Sequence, residues 1–154
     1  MKKVILLFAI AFAAVPCFAQ LPFAKCEACK KAGAKFFQGD PQGAIALLDE
    51  AIAKDPSSSD AYRMRGDFRG HLGDFKRSVE DYKAALALDP SAVDVYEKLA
   101  RWQMFLRDYY GALATLDAAL AHGVKSESVY VQRGDLHLDR QDIGAATVDY
   151  TNAI

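Results

Sequence analysis

The chain has 154 residues, of which 25% are charged and 52% hydrophobic, and its formal net charge is −1 at pH 7. Its 19 basic and 20 acidic residues are interspersed without a basic stripe, which argues against nucleic acid as a partner. It contains no phosphate-binding loop, serine nucleophile motif or paired-carboxylate motif. The sequence therefore predicts a protein that is not an enzyme and uses no cofactor.

The first 19 residues predict a secretory signal peptide. Two lysines precede an apolar run over residues 4–15, and the small residues Cys17 and Ala19 precede a cleavage site before Gln20. Two alternatives are an uncleaved N-terminal anchor, for which the apolar run is short, and lipoprotein processing at Cys17, which the preceding proline disfavours. We expect cleavage after Ala19, a short linker over residues 20–24, and a bacterial periplasmic or secreted location. No integral membrane span is expected after the signal is removed.

From residue 25 onward the sequence repeats with a period of 34 residues. Tyr62, Tyr96 and Tyr130 keep this interval, and an Asp-Pro pair recurs at 55–56 and 89–90. A fixed period of this size predicts stacked supersecondary units instead of one globular core. The copies are predicted at 25–58, 59–92, 93–126 and 127–154, with the last one incomplete.

Each copy predicts two helices joined by a tight turn. Glycine followed by aspartate, at Gly39-Asp40 and Gly73-Asp74, supplies a left-handed helix end and then a cap for the next helix. The Asp-Pro pairs end the second helix, because proline discourages continuation.

Two further patterns concern a helix start and the helix crossings. Ser91 followed by Asp94 predicts a capping box for the first helix of the third copy. Small residues recur at one position of the first helix, where they would let the second helix approach closely: Ala32, Gly66, Ala100 and Gly134.

This arrangement resembles the tetratricopeptide repeat, and the resemblance covers essentially everything after residue 24. Copy two fits that family's order of aromatic, small and turn residues best, with Tyr62, Gly66, Gly73-Asp74-Phe75, Tyr82, Ala85 and Asp89-Pro90. Copy one departs from it, since Ala28 replaces the opening aromatic residue. The resemblance implies an all-α fold, a right-handed superhelical solenoid of about four two-helix units.

In this family the first helix of each unit lines a concave surface that binds peptides. Family positions place ten residues of this chain in such a groove: Phe36, Phe37, Asp60, Arg63, Asp67, His71, Asp94, Glu97, Arg101 and Phe105. The groove would be apolar at its start and more acidic further on, which predicts a basic or amphipathic peptide. The alternative is an ordinary solvated face. Chaperone-tail binding is not predicted, because Cys29 and Gly33 stand where copy one would need a lysine and asparagine clamp.

Cys26 and Cys29 form a C-x-x-C motif at the start of copy one. Lys30 follows directly where haem attachment would need histidine, and no further zinc ligands lie close by, so no metal is expected. In an oxidising compartment the motif predicts a local disulfide. Two unreactive thiols and a thiol-active site remain alternatives.

The leading functional prediction is a non-catalytic scaffold or adaptor in the cell envelope that binds a partner protein or peptide. The alternatives are a thiol-active factor in envelope protein maturation using Cys26 and Cys29, and a truncated copy of a longer repeat protein. The fourth copy shows no polar capping helix, which predicts self-association or partner binding through its uncovered face.

Overall fold

The computed structural model describes residues 26–154, so the predicted signal peptide and linker lie outside the described residues. Within this range the chain forms eight α-helices and no strands. The helices are α1 Glu27–Phe37, α2 Pro41–Lys54, α3 Ser59–His71, α4 Phe75–Leu88, α5 Val93–Phe105, α6 Tyr109–Ala121, α7 Glu127–Asp139 and α8 Ile143–Asn152. The expectation of an all-α fold is confirmed.

Consecutive helices pack as four pairs, and the pairs stack in chain order. The second helix of each pair contacts the first helix of the next, and first helices also meet directly, α1 with α3 and α5 with α7. The fold is a two-layer superhelical solenoid. The layer of first helices, which the family resemblance places on the concave side, is called the inner layer.

The predicted turns between paired helices are confirmed. Gly39 and Gly73 adopt left-handed backbone with φ of 85° and 80°. Copies three and four hold the same conformation without glycine, at Arg107 and Gln141 with φ of 63° and 62°, a strain of about 1–2 kcal/mol for each residue. One aspartate then caps each second helix by accepting the N–H three residues on: Asp40, Asp74, Asp108 and Asp142.

The capping box predicted at Ser91 is wrong. The N-cap of α5 is Ala92, which makes no side-chain cap hydrogen bond. Instead the Ser91 hydroxyl donates to Asp89 Oδ1 at 2.6 Å, and its N–H donates to the same oxygen at 3.0 Å. Asp89 is only two residues away from Ser91, and the two form a local turn. The Ser91 hydroxyl is therefore already hydrogen-bonded and does not cap α5.

The small residues predicted at the helix crossings do face the partner helix closely. Ala32 and Ala100 have no exposed surface. A Cβ added to Gly66 would lie 2.8 Å from Cε1 of Tyr82. The crossing in copy two is therefore closed by a tyrosine ring resting on glycine backbone.

Candidate peptide-binding groove

An ion-pair network joins copies two and three on the inner layer. Arg63 Nη1 on α3 donates to both carboxylate oxygens of Asp94 on α5, at 3.0 and 3.1 Å, and Arg63 Nη2 lies 3.5 Å from Asp60. Lys98 Nζ then bridges Asp67 at 2.8 Å and Asp94 at 3.3 Å. The charged groups of this network thus pair with one another and leave one carboxylate in excess. An open cavity of about 320 Å³ lies at one end of the network.

Tyr82 connects this network to the second layer. Its hydroxyl donates to Asp67 Oδ1 at 2.6 Å, and burial together with the Asp67 charge raises the pKa of Tyr82 well above its usual range. The phenol therefore stays a hydrogen-bond donor at physiological pH. Copy four repeats the arrangement, with Tyr150 donating to Asp135 at 2.8 Å.

The sequence prediction did not include Lys98 and Tyr82 among the groove residues, although the sequence contains a pattern that points to each of them. Lys98 follows Asp94 by four residues, a spacing that brings two side chains together on a helix. Tyrosine at the Tyr82 position accompanies aspartate at the Asp67 position in copies two and four, whereas leucine stands at the tyrosine position in the other two copies. This pairing within one chain indicates contact between the two positions.

The predicted aromatic residues fall into two groups. Phe36 stacks on Phe68 with ring centroids 4.1 Å apart and meets His71 edge-on at 5.7 Å. Phe36 therefore packs mainly against α3. Phe37 and Phe105 occupy equivalent positions in copies one and three and are 76% and 63% exposed. These two rings are the most exposed large apolar side chains on the first helices among the described residues, so a ligand can reach them.

The remaining predicted groove residues are not joined to the network by side-chain contacts. His71 Nδ1 lies 3.2 Å from the Asp67 carbonyl oxygen within α3. Glu97 accepts a hydrogen bond from Ser126 Oγ at 2.6 Å, which ties α5 to the start of α7. Arg101 is exposed and makes no ion pair with the described residues.

Away from the groove, a half-buried arginine joins copy three to copy four. Arg133 on α7 donates to Asp149 on α8 at 2.5 Å and to Asp117 on α6 at 2.8 Å. The Asp149 side chain is only 1% exposed, and His137 Nε2 lies 3.8 Å from its Oδ2. This triad spans three helices and both copies.

The same triad joins copies one and two. Arg65 donates to Asp81 at 2.6 Å and to Asp49 at 2.5 Å, and Arg69 adds a second contact to Asp81 at 2.7 Å. The junction between copies two and three is different, with Lys83, Leu99 and Thr115 at the equivalent positions. The first and third junctions therefore contain an arginine–aspartate network, and the second junction does not.

The described residues contain neither a metal-binding cluster nor a membrane-spanning helix. Between residues 26 and 154 no group of three or more His, Cys, Asp or Glu side chains is placed to hold a metal ion. In the same part of the chain, no helix has both the length and the apolar character needed to cross a bilayer.

Comparison with known proteins agrees with this architecture. Residues 29–93 match the family model described as tetratricopeptide repeat. No curated protein sequence matches the chain significantly. Many solved structures match it.

The crystal structure of MamA aligns with a TM-score of 0.74 at 18% identity, over 82% of this chain and 74% of that one. YrrB, described as a TPR protein with an unusual peptide-binding site, aligns at 0.71 and 18%, over 82% and 65%. A tetratricopeptide repeat protein from Parabacteroides merdae ATCC 43184 aligns at 0.74 and 20%, over 82% and 50%. At these identities the likeness concerns the fold, and the chain has the fold of a tetratricopeptide-repeat solenoid.

Proposed function

We propose that the protein is a non-catalytic scaffold that holds a peptide segment of a partner protein against its inner layer of helices. One observation carries the proposal: Phe37 and Phe105 stand mostly exposed at equivalent positions on that layer. Large aromatic side chains exposed on one concave face are typical of a binding surface, because burying them contributes much of the energy of association.

The charges on the inner layer favour a basic segment with an apolar side chain. The network has three carboxylates, on Asp60, Asp67 and Asp94, against the two cations of Arg63 and Lys98. A cationic partner would compensate the remaining negative charge and would be guided towards this surface. YrrB, a TPR protein with an unusual peptide-binding site and a similar fold, supports the same role.

The test compares two double variants of the mature chain. Phe37→Ser with Phe105→Ser removes the exposed rings of the inner layer, whereas Tyr110→Ser with Val148→Ser changes two side chains of the second helices that are 80% and 58% exposed. A partner is first crosslinked in envelope extract. Labelled peptides covering its crosslinked segment are then titrated, and binding is followed by fluorescence anisotropy.

We expect the Phe37 and Phe105 variant to bind the peptide at least about tenfold more weakly, or about 1.4 kcal/mol. The Tyr110 and Val148 variant should bind within about twofold of the unchanged protein, since rim and off-site contacts contribute little. Equal binding by the two variants would contradict the proposal. So would crosslinks confined to the second helices.

We also propose that the scaffold acts in the periplasm or outside the cell, because the first 19 residues have the layout of a secretory signal peptide. Mass spectrometry of the protein recovered from the envelope fraction is expected to find Gln20 as the first residue. Recovery of the chain with Met1 to Ala19 intact would count against this location.

A further inference from the structure

The cysteine pair forms a disulfide with one accessible sulfur. Cys26 and Cys29 are bonded to each other, and Cys26 is the N-cap residue of α1. Cys29 has no exposed surface and belongs to the core of copy one, whereas Cys26 is half-buried. A thiol arriving from solvent can therefore attack the sulfur of Cys26 and is blocked from that of Cys29.

The start of helix α1 stabilises a thiolate on Cys26. The Cys29 N–H donates to Cys26 Sγ at 3.1 Å, at the end of the helix where backbone N–H groups point outward. A thiolate left on Cys26 after reduction would be stabilised by this N–H and by the positive end of the helix dipole. A disulfide whose reduced form is stabilised in this way is easier to reduce.

A cleft of about 340 Å³ lies beside Cys26. Its lining includes the carboxylates of Glu27, Asp55 and Asp60, together with backbone and small side chains of α1 and α2. Asp60 lies 3.5 Å from Arg63 and Glu27 lies 3.7 Å from Lys30, whereas Asp55 has no ion-pair partner among the described residues. The cleft therefore keeps a negative charge, which favours the approach of a cationic segment.

The same disulfide contributes little as a structural brace. It joins residues three apart, within the first turn of α1, and the entropy that a disulfide removes from the unfolded chain is smallest for the shortest loops. The helix it starts is already packed through Ala32 and Cys29 into the core.

We propose that the Cys26–Cys29 pair is an exchange site that oxidises pairs of protein thiols carried on a basic segment. A partner thiolate attacks Cys26 Sγ, so that a partner–Cys26 disulfide forms and the Cys26–Cys29 bond breaks. The electron pair leaves on the Cys29 sulfur, which takes a proton. A second partner thiolate then displaces Cys26, so the partner gains a disulfide and both cysteines end reduced.

This activity is separate from the scaffold function, and the experiment keeps them apart. The oxidised mature protein is mixed with a peptide that holds two cysteines among lysines, and with the same peptide holding glutamates. Thiol oxidation is followed by mass spectrometry. The reference reaction uses a short synthetic peptide with an oxidised Cys-Glu-Ala-Cys segment, in which the folded helix and the cleft are missing.

We expect the protein to oxidise the lysine peptide at least about tenfold faster than either the glutamate peptide or the reference reaction. Glu27→Gln with Asp55→Asn should bring the two peptide rates within about twofold of each other. The matched change Glu80→Gln with Glu127→Gln, on exposed positions elsewhere, should leave the preference unchanged.

Two single variants locate the attacked sulfur. Cys29→Ser should trap a mixed disulfide on Cys26 when it is treated with an oxidised form of the lysine peptide, and Cys26→Ser should form none at the buried Cys29. The proposal is overturned if Cys29 reacts as fast as Cys26, or if the folded protein is no faster than the synthetic segment. Binding of the groove ligand should be the same in both variants and in the unchanged protein.

Discussion

Replacing Arg133 with alanine is expected to lower the free energy of unfolding by about 3–5 kcal/mol, because Asp149 would remain as an almost fully buried charge without a close cation. The same change at Arg65 should cost clearly less, since Arg69 still donates to Asp81 at 2.7 Å. Urea titration followed by circular dichroism measures both. Equal losses for the two variants would contradict the role given to the second arginine.

The junction between copies two and three, which has no arginine–aspartate network, supplies a matched control. Its residues can be copied onto the last junction by Asp117→Lys, Arg133→Leu, His137→Gln and Asp149→Thr, which recreate Lys83, Leu99, Gln103 and Thr115. In that junction Thr115 Oγ1 donates to Gln103 Oε1 at 2.7 Å, so the buried polar groups satisfy each other. Replacing a whole buried ion network in this way is often neutral. We expect a stability within about 1 kcal/mol of the unchanged protein, and a loss as large as that of Arg133→Ala would refute the explanation.

Gly66→Ala is expected to destabilise the protein by about 1–3 kcal/mol, although alanine favours helices over glycine by about 1 kcal/mol. The new Cβ would lie 2.8 Å from the Tyr82 ring, and that ring has little room to move because it is buried and bonded to Asp67. Gly144→Ala is the control on a helix with space, since the nearest atom would be 3.7 Å away. This control should be neutral or slightly stabilising in the same urea titrations.

The repeat itself indicates how the Gly66 loss can be reversed. Copies one and three pair alanine with leucine at the two positions where copies two and four pair glycine with tyrosine. The double change Gly66→Ala with Tyr82→Leu should therefore be more stable than the sum of the two single changes by at least about 1 kcal/mol. Strictly additive losses would show that the close approach of the two helices is not the cause.

Most residues of the candidate groove were predicted from family positions, but the contacts between their side chains were not. The sequence placed Arg63, Asp67 and Asp94 on one surface. In the structure Arg63 binds Asp94, and Lys98 links Asp94 to Asp67. The prediction also grouped Phe36 with Phe37. In the structure Phe36 stacks on Phe68, whereas Phe37 is exposed. Position in a repeat indicates which way a side chain points, and does not indicate which neighbours it meets.

The sequence by itself determined the features that depend on a few consecutive residues or on the period. These are the eight helices, the capping aspartates, the left-handed glycines and the stacking of four units, because backbone geometry, capping and periodic burial act over short distances along the chain. Tertiary structure decided the features that depend on packing between distant residues. The contacts of Lys98 and Tyr82 with Asp67 join residues 31 and 15 positions apart, and the arginine–aspartate pairs at the junctions join residues 12 or 16 positions apart. The burial of Cys29, which leaves one accessible sulfur in the disulfide, is also a result of packing. Such contacts depend on the distance and burial that packing creates between copies, and a residue's own position in the repeat does not specify either.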